Sequence, residues 1–242
     1  MKGGNIIMSA KPMNLLFIIS DEHNKYMTGC YGHPVVQTPN IDKLAANGVK
    51  FNNAYSNCPI CVPSRASFAT GRYVHQIGNW DNAAPYYGQH QSWGHRLNEQ
   101  GHRVTSIGKL HYRDDADPVG FSDIRLSLQV VNGEGDIYSL VRDNLKPRTA
   151  NREKILEAGP GDSSYSRYDL GITAEASRFL KEEANVSEEP WVLFVSYATP
   201  HFPLIAPQKY YDMYPLEDVI LPQQYHLEER PDHPLIQEYR RV

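Results

Sequence analysis

One of the two longest unbroken apolar runs in the chain is Leu15-Leu-Phe-Ile-Ile19, set between Asn14 and Ser20. A short continuous run between polar residues predicts a strand buried on both faces, as in a parallel sheet. It delivers Asp21-Glu22-His23-Asn24 at its carboxyl end. Further strands are predicted over 103–107, which leads into Gly108-Lys109-Leu110-His111, and over 191–197, which leads into Thr199-Pro-His201-Phe-Pro203. A shorter one is predicted over 49–55. Elsewhere the apolar period is helical. Thr38 and Pro39 open one helix, because proline lacks the N–H that would be unpaired at the first helical position. Ile41, Leu44 and Ala45 form its apolar face, and Gly48 follows its end. Helices over 63–70 and 93–100 stop at Gly71 and Gly101. A longer one over 169–184 carries Ile172, Ala176, Phe179 and Leu180 on one face.

This alternation predicts an α/β sandwich with a mainly parallel sheet flanked by helices. Residues 1–13 read as a lead-in, and 14–242 as one domain that ends before its architecture is complete. Residues 112–165 have weak periodicity and read as loops or insertions, and 204–242 never return to a buried strand. In open parallel sheets, ligands bind beyond the carboxyl ends of the strands. That is where Asp21, Lys109, His111 and His201 collect.

Composition narrows the function classes. With 242 residues, 40% of them hydrophobic and 21% charged, the chain can bury a sizeable core. A net charge of −4 argues against a general nucleic-acid binder. No apolar stretch approaches the roughly 20 residues of a membrane span, and the longest run is too short for a signal-peptide core. The expectation is neither membrane residence nor classical secretion. Cys30, Cys58 and Cys61 cannot form a closed disulfide set, which points to a reducing, cytoplasmic setting.

The sharpest chemistry lies in Cys58-Pro-Ile-Cys61-Val-Pro-Ser-Arg65-Ala-Ser-Phe-Ala-Thr70-Gly71-Arg72. With a helix starting near Pro63, Cys61 sits at its mouth, where unpaired N–H groups favour an anion. Arg65, about one turn in, can aim its guanidinium at the same place. A thiol of lowered pKa beside an anion-binding arginine suits attack on a tetrahedral anionic ester. Cys58-x-x-Cys61 also fits a redox pair or half a zinc site, but the chain has no second such pair.

Cys-x-Pro-Ser-Arg followed by Thr-Gly-Arg is similar to the signature of the type I sulfatases, of the alkaline-phosphatase-like superfamily. The strand ending in Asp21, Gly108-Lys-x-His111 and Thr199-Pro-His-Phe-Pro203 match the same family in the same order. Choline sulfatases, arylsulfatases and phosphonate monoester hydrolases are the branches it most resembles. The resemblance implies that Cys61 is oxidised to Cα-formylglycine by a formylglycine-generating enzyme. Its hydrate would attack a small sulfated substrate. Asp21 and modified Cys61 would bind a divalent metal, calcium first, with magnesium or manganese as alternatives. Arg65 and Lys109 would hold hydrate and sulfate oxygens, His111 would act as base, and His201 would assist departure of the alcohol. Trp80-Asp-Asn82-Ala-Ala84 resembles a choline-sulfatase stretch and implies that Asn82 contacts sulfate. Trp80, Tyr86, Tyr87 and Trp93 are further candidates for lining a pocket.

Two departures qualify these implications. Glu22 stands where many members have a second Asp. The family's later Asp-Asn or Asp-His metal pair and second catalytic Lys have no counterpart before Val242. Asp21 and Cys61 fall short of the roughly six oxygens that calcium prefers. The chain therefore reads as the N-terminal portion of a sulfatase: a truncated gene product, a fragment, or part of a split enzyme with a complementary C-terminal chain as partner. The alternatives are a phosphonate or phosphate ester hydrolase with the same site, or an inactive fragment.

Overall fold

A computed structural model describes residues 12–135, 156–234 and 236–237. Its main sheet has four parallel strands in the order β1-β5-β2-β3: β1 (Leu15–Ser20), β5 (Val192–Tyr197), β2 (Val104–Lys109) and β3 (Asp123–Leu128). A separate two-stranded sheet joins β4 (Ala158–Pro160) to β6 (Leu204–Ala206). The helices used below are α1 (Pro39–Ala46), α2 (Cys61–Thr70), α3 (Val74–Ile77), α4 (Trp93–Glu99) and α5 (Ser164–Arg178), the last continued by a π-turn over Phe179–Glu183.

Side chains alternate across a strand, and β5 shows what each face meets. Phe194 belongs to a cluster with Ala66 and Ala69 of α2, Ile77 of α3, Tyr86, Leu110 and Tyr112, against which Phe17, Ile19 and Trp93 pack. Leu193 and Val195 point the other way, into Ile172 and Ala176 of α5, Phe179 and Ile107. The sheet thus lies between α2–α4 on one face and α5 on the other, the predicted sandwich.

Four expectations need correction. β1 is covered on one face only: Phe17 and Ile19 pack inward, while Leu15, Leu16 and Ile18 are exposed, Ile18 at 58%. Among the described residues β1 pairs with β5 alone, so it is a sheet edge. The strand expected over 49–55 does not form, and Val49, Phe51 and Tyr55 lie exposed without ladder partners. Conversely, β3 lies inside the segment read as loops. Its Arg125 is neutralised by Asp123 on the same strand and by Glu175 and Glu183 across the packing face, so charge hid a strand. Ile41 and Leu44 of α1, expected to be an apolar packing face, are exposed as well.

The register of β2 on β3 slips between Ile107 and Lys109. Gly108 sits at the slip with φ +102°, where a Cβ would stand 2.2 Å from the carbonyl oxygen of Ser196. Only glycine fits there. Such a bulge re-aims the next side chain, and that side chain is Lys109.

Candidate active site

The carboxyl ends of β1, β2 and β5 and the amino end of α2 meet at one place. Asp21, the first residue after β1, is buried. One carboxylate oxygen accepts from Lys109 Nζ at the end of β2. The other accepts from Arg65 of α2 at 3.3 Å. Arg65 also donates to the Lys109 carbonyl at 2.6 Å and to Ser196 Oγ on β5 at 3.0 Å. One buried guanidinium therefore ties α2 to two strand ends. Two cations against one carboxylate leave this nucleus with a net positive charge, which suits an anionic ligand.

Burial raises the Asp21 carboxyl, but Lys109 and Arg65 outweigh it and hold the group below the usual carboxylate range. Cys61 is the first residue of α2, at the helix mouth as expected. Its thiol is not activated, contrary to expectation. Burial pushes its pKa up, Asp21 and Glu22 add to this, and Lys109 and Arg65 oppose it without prevailing. An untouched thiol here stays protonated, and the protonated thiol is a poor nucleophile.

His201 follows β5. Ala198 N–H and Thr199 N–H donate to the Asp169 carboxylate of α5 at 2.8 and 2.9 Å, which pins the loop that carries it. Asp169 was read from the sequence only as the first residue of a helix. A carboxylate beside the apolar face of that helix is the signal that could have marked it. His201 Nδ1 lies 2.8 Å from the Phe202 carbonyl, and Nε2 lies 3.6 Å from Glu22, whose φ is +62°. Asp21, Cys61 and His201 each present a ligand-type atom, all within 4.8 Å of one another. A cleft of about 210 Å³ opens over Asp21, Glu22, Cys61, Ser64 and Arg65.

His111, held at φ +57°, has its Nδ1 buried without a hydrogen-bond partner among the described residues. Burial, and then the Lys109 and Arg65 charges, lower its pKa to about 3, so it is a neutral imidazole. Asn82 reaches the same end of α2. Its Oδ1 accepts the Val62 N–H at 3.1 Å, doing the work that Ile60 cannot do as the local N-cap. Substitution N82A is expected to cost about 1 kcal/mol in urea unfolding, whereas N82D should stay near wild type; equal losses would show that the cap is idle. Of the candidate pocket aromatics, Tyr86 is core and Trp93 packs against that core, while Trp80 and Tyr87 are exposed.

The family model described as "Sulfatase" matches residues 13–226. This chain belongs to the sulfatase family. It is 31% identical over 209 residues to the "Uncharacterized sulfatase YidJ" of Escherichia coli K12, covering 84% of this chain and 41% of that protein. It is 28% identical over 217 residues to the "Choline-sulfatase" of Rhizobium meliloti 1021, covering 85% and 41%. The sulfatase chain thus spans about two fifths of the length of these curated relatives. In fold it is similar to the phosphonate monoester hydrolase of Agrobacterium radiobacter, with a TM-score of 0.63 at 24% identity, covering 87% of this chain and 45% of that one. The expected alkaline-phosphatase-like sandwich is thereby the fold of this sulfatase chain. No described helix is long and apolar enough to cross a membrane.

Proposed function

We propose that this chain carries the nucleophile-bearing part of a sulfuric ester hydrolase, with Cys61 oxidised to formylglycine. The observation that carries the reading is the convergence of Asp21, Arg65, Lys109 and His201 on the end of α2 where Cys61 sits, in a chain of the sulfatase family. The raised thiol pKa supports it too, since the unmodified side chain is inert at neutral pH. Formylglycine supplies what the thiol lacks, a hydrated aldehyde whose oxygen can attack sulfur.

The chain's own groups then have separable tasks. Arg65 and Lys109 neutralise sulfate oxygens as charge builds on them, with Asp21 holding both cations in place. Asn82 keeps the start of α2 fixed and would add a contact to sulfate. His111 is neutral with its Nδ1 unpaired among the described residues, and a sulfate anion offsetting the Lys109 and Arg65 charges would raise its low basicity toward that of a base for the hydroxyl of residue 61. His201, pinned through Asp169, is placed to give a proton to the departing alcohol oxygen.

A divalent metal fits the donor set in part. Asp21 offers a hard oxygen, whereas thiolate sulfur suits calcium poorly. An oxygen at position 61 would complete a better pair. Calcium also requires more oxygens than these residues provide, which supports a complementary polypeptide as a partner. Bound there, the ion would supply additional positive charge against the sulfate group.

The test is mass spectrometry of the Cys61 peptide after co-expression with a formylglycine-generating enzyme, then sulfate release from an aryl sulfate. The expected product is an aldehyde in place of the thiol, and a persistent thiol would overturn the mechanism. The oxidised chain by itself is expected to turn over slowly, because its described residues offer few metal ligands. Fast turnover without added polypeptide would remove the need for a partner.

A further inference from the structure

Tyr165 has no place in the roles assigned so far, yet it stands against the site. It is the second residue of α5, whose start is fixed by Ser163 Oγ accepting the Ser166 N–H at 3.0 Å. One turn later Asp169 binds the loop after β5, so the start of this helix lies beside the carboxyl end of that strand. The Tyr165 ring meets His201 edge to face, with centroids 5.8 Å apart and planes at 73°. Phe202 also stands against His201, at 4.3 Å between ring centroids. His201 thus contacts two aromatic rings.

The hydroxyl is the more informative end. Its neighbour Tyr168 donates to the Leu126 carbonyl at 2.6 Å, and Tyr197 accepts from Thr173 at 3.2 Å. Tyr165 is half-buried, but its hydroxyl has no hydrogen-bond partner among the described residues. The hydroxyl is not one of the buried unpaired atoms, so it is open to solvent and to a ligand. Burial raises its pKa, and the charges that add to this are Asp21, Cys61 and Glu22, all members of the site. The hydroxyl therefore stays a neutral donor, on a ring that stands against His201.

We propose that Tyr165 is a substrate-contacting residue beside His201, its hydroxyl donating a hydrogen bond to an oxygen of the bound sulfate ester. This rests on the sulfatase reading above, in which His201 serves the departing alcohol. Tyr165 thereby adds an uncharged donor beside His201 to the cations Arg65 and Lys109, one that holds the ester without competing for protons.

Inorganic sulfate is the probe, titrated by calorimetry into the full chain with calcium present. Y165F removes the hydroxyl and keeps the ring, and is expected to weaken sulfate binding about fivefold, the worth of one neutral hydrogen bond. Y168F removes a hydroxyl from the same helix and should leave the affinity unchanged. A 3-fluorotyrosine placed at 165 should show a ¹⁹F shift with sulfate and none with chloride. Equal affinity in Y165F, an equal loss in Y168F, or a still resonance would each overturn the role of Tyr165 alone. Absence of sulfate binding by the unaltered chain would instead overturn the site reading, and this inference with it.

Discussion

Replacing Asp21 with alanine is expected to lower the unfolding free energy by about 3–5 kcal/mol, the usual consequence of stranding a buried charge. Lys109 is fully buried and Arg65 nearly so, and Asp21 is the carboxylate that faces both. Without it two cations share a low-dielectric pocket. Urea denaturation at neutral pH in a chelating buffer isolates this effect from any metal binding. The double variant D21N/K109M should recover much of the loss, because it removes one charge of each sign from the same contact. An unchanged midpoint in D21A would mean that water already solvates Lys109.

The second large effect is a pH dependence seated at His111. In the folded chain its pKa is lowered to about 3, by burial first and by Lys109 and Arg65 next. In the unfolded chain it titrates near 6.5. Below that value the unfolded state holds a proton that the folded state refuses, so stability falls as the solution is acidified. One proton corresponds to about 1.4 kcal/mol per pH unit, or roughly 3 kcal/mol between pH 6.5 and 4.5. Asp21 leaves this window clear: its folded pKa is lowered, so its contribution is lost only at more acid pH. Denaturation at a series of pH values should give a shallower acid limb for H111N than for the unaltered chain. Parallel limbs would place the proton elsewhere.

Elements carried by apolar period were legible from the residues alone. β2, β5, α2, α4 and α5 all formed where the pattern placed them, give or take a few residues. β3 was not legible, because Asp123 and Arg125 look like loop residues until Glu175 and Glu183 arrive from distant chain to neutralise them. The burial of β1 was overread: an apolar run shows what a strand can bury, not how many faces find cover. In the site, motif order brought out Asp21, Cys61, Arg65, Lys109 and His201, which do converge. The parts that depend on three-dimensional neighbours stayed hidden. Asp169 bonds to a loop thirty residues on, Asn82 caps a helix at an N–H twenty residues earlier, and the thiol's pKa rises through desolvation that no linear pattern records.

The bracing of Arg65 across α2, β2 and β5 has an evolutionary corollary. If Arg65 also clamps the sulfate as proposed, it serves two separate constraints, and relaxing one leaves the other in force. A descendant that gave up catalysis would be free to drift at position 61, but not at 65. Among pseudoenzymes of this lineage the arginine should outlast the cysteine.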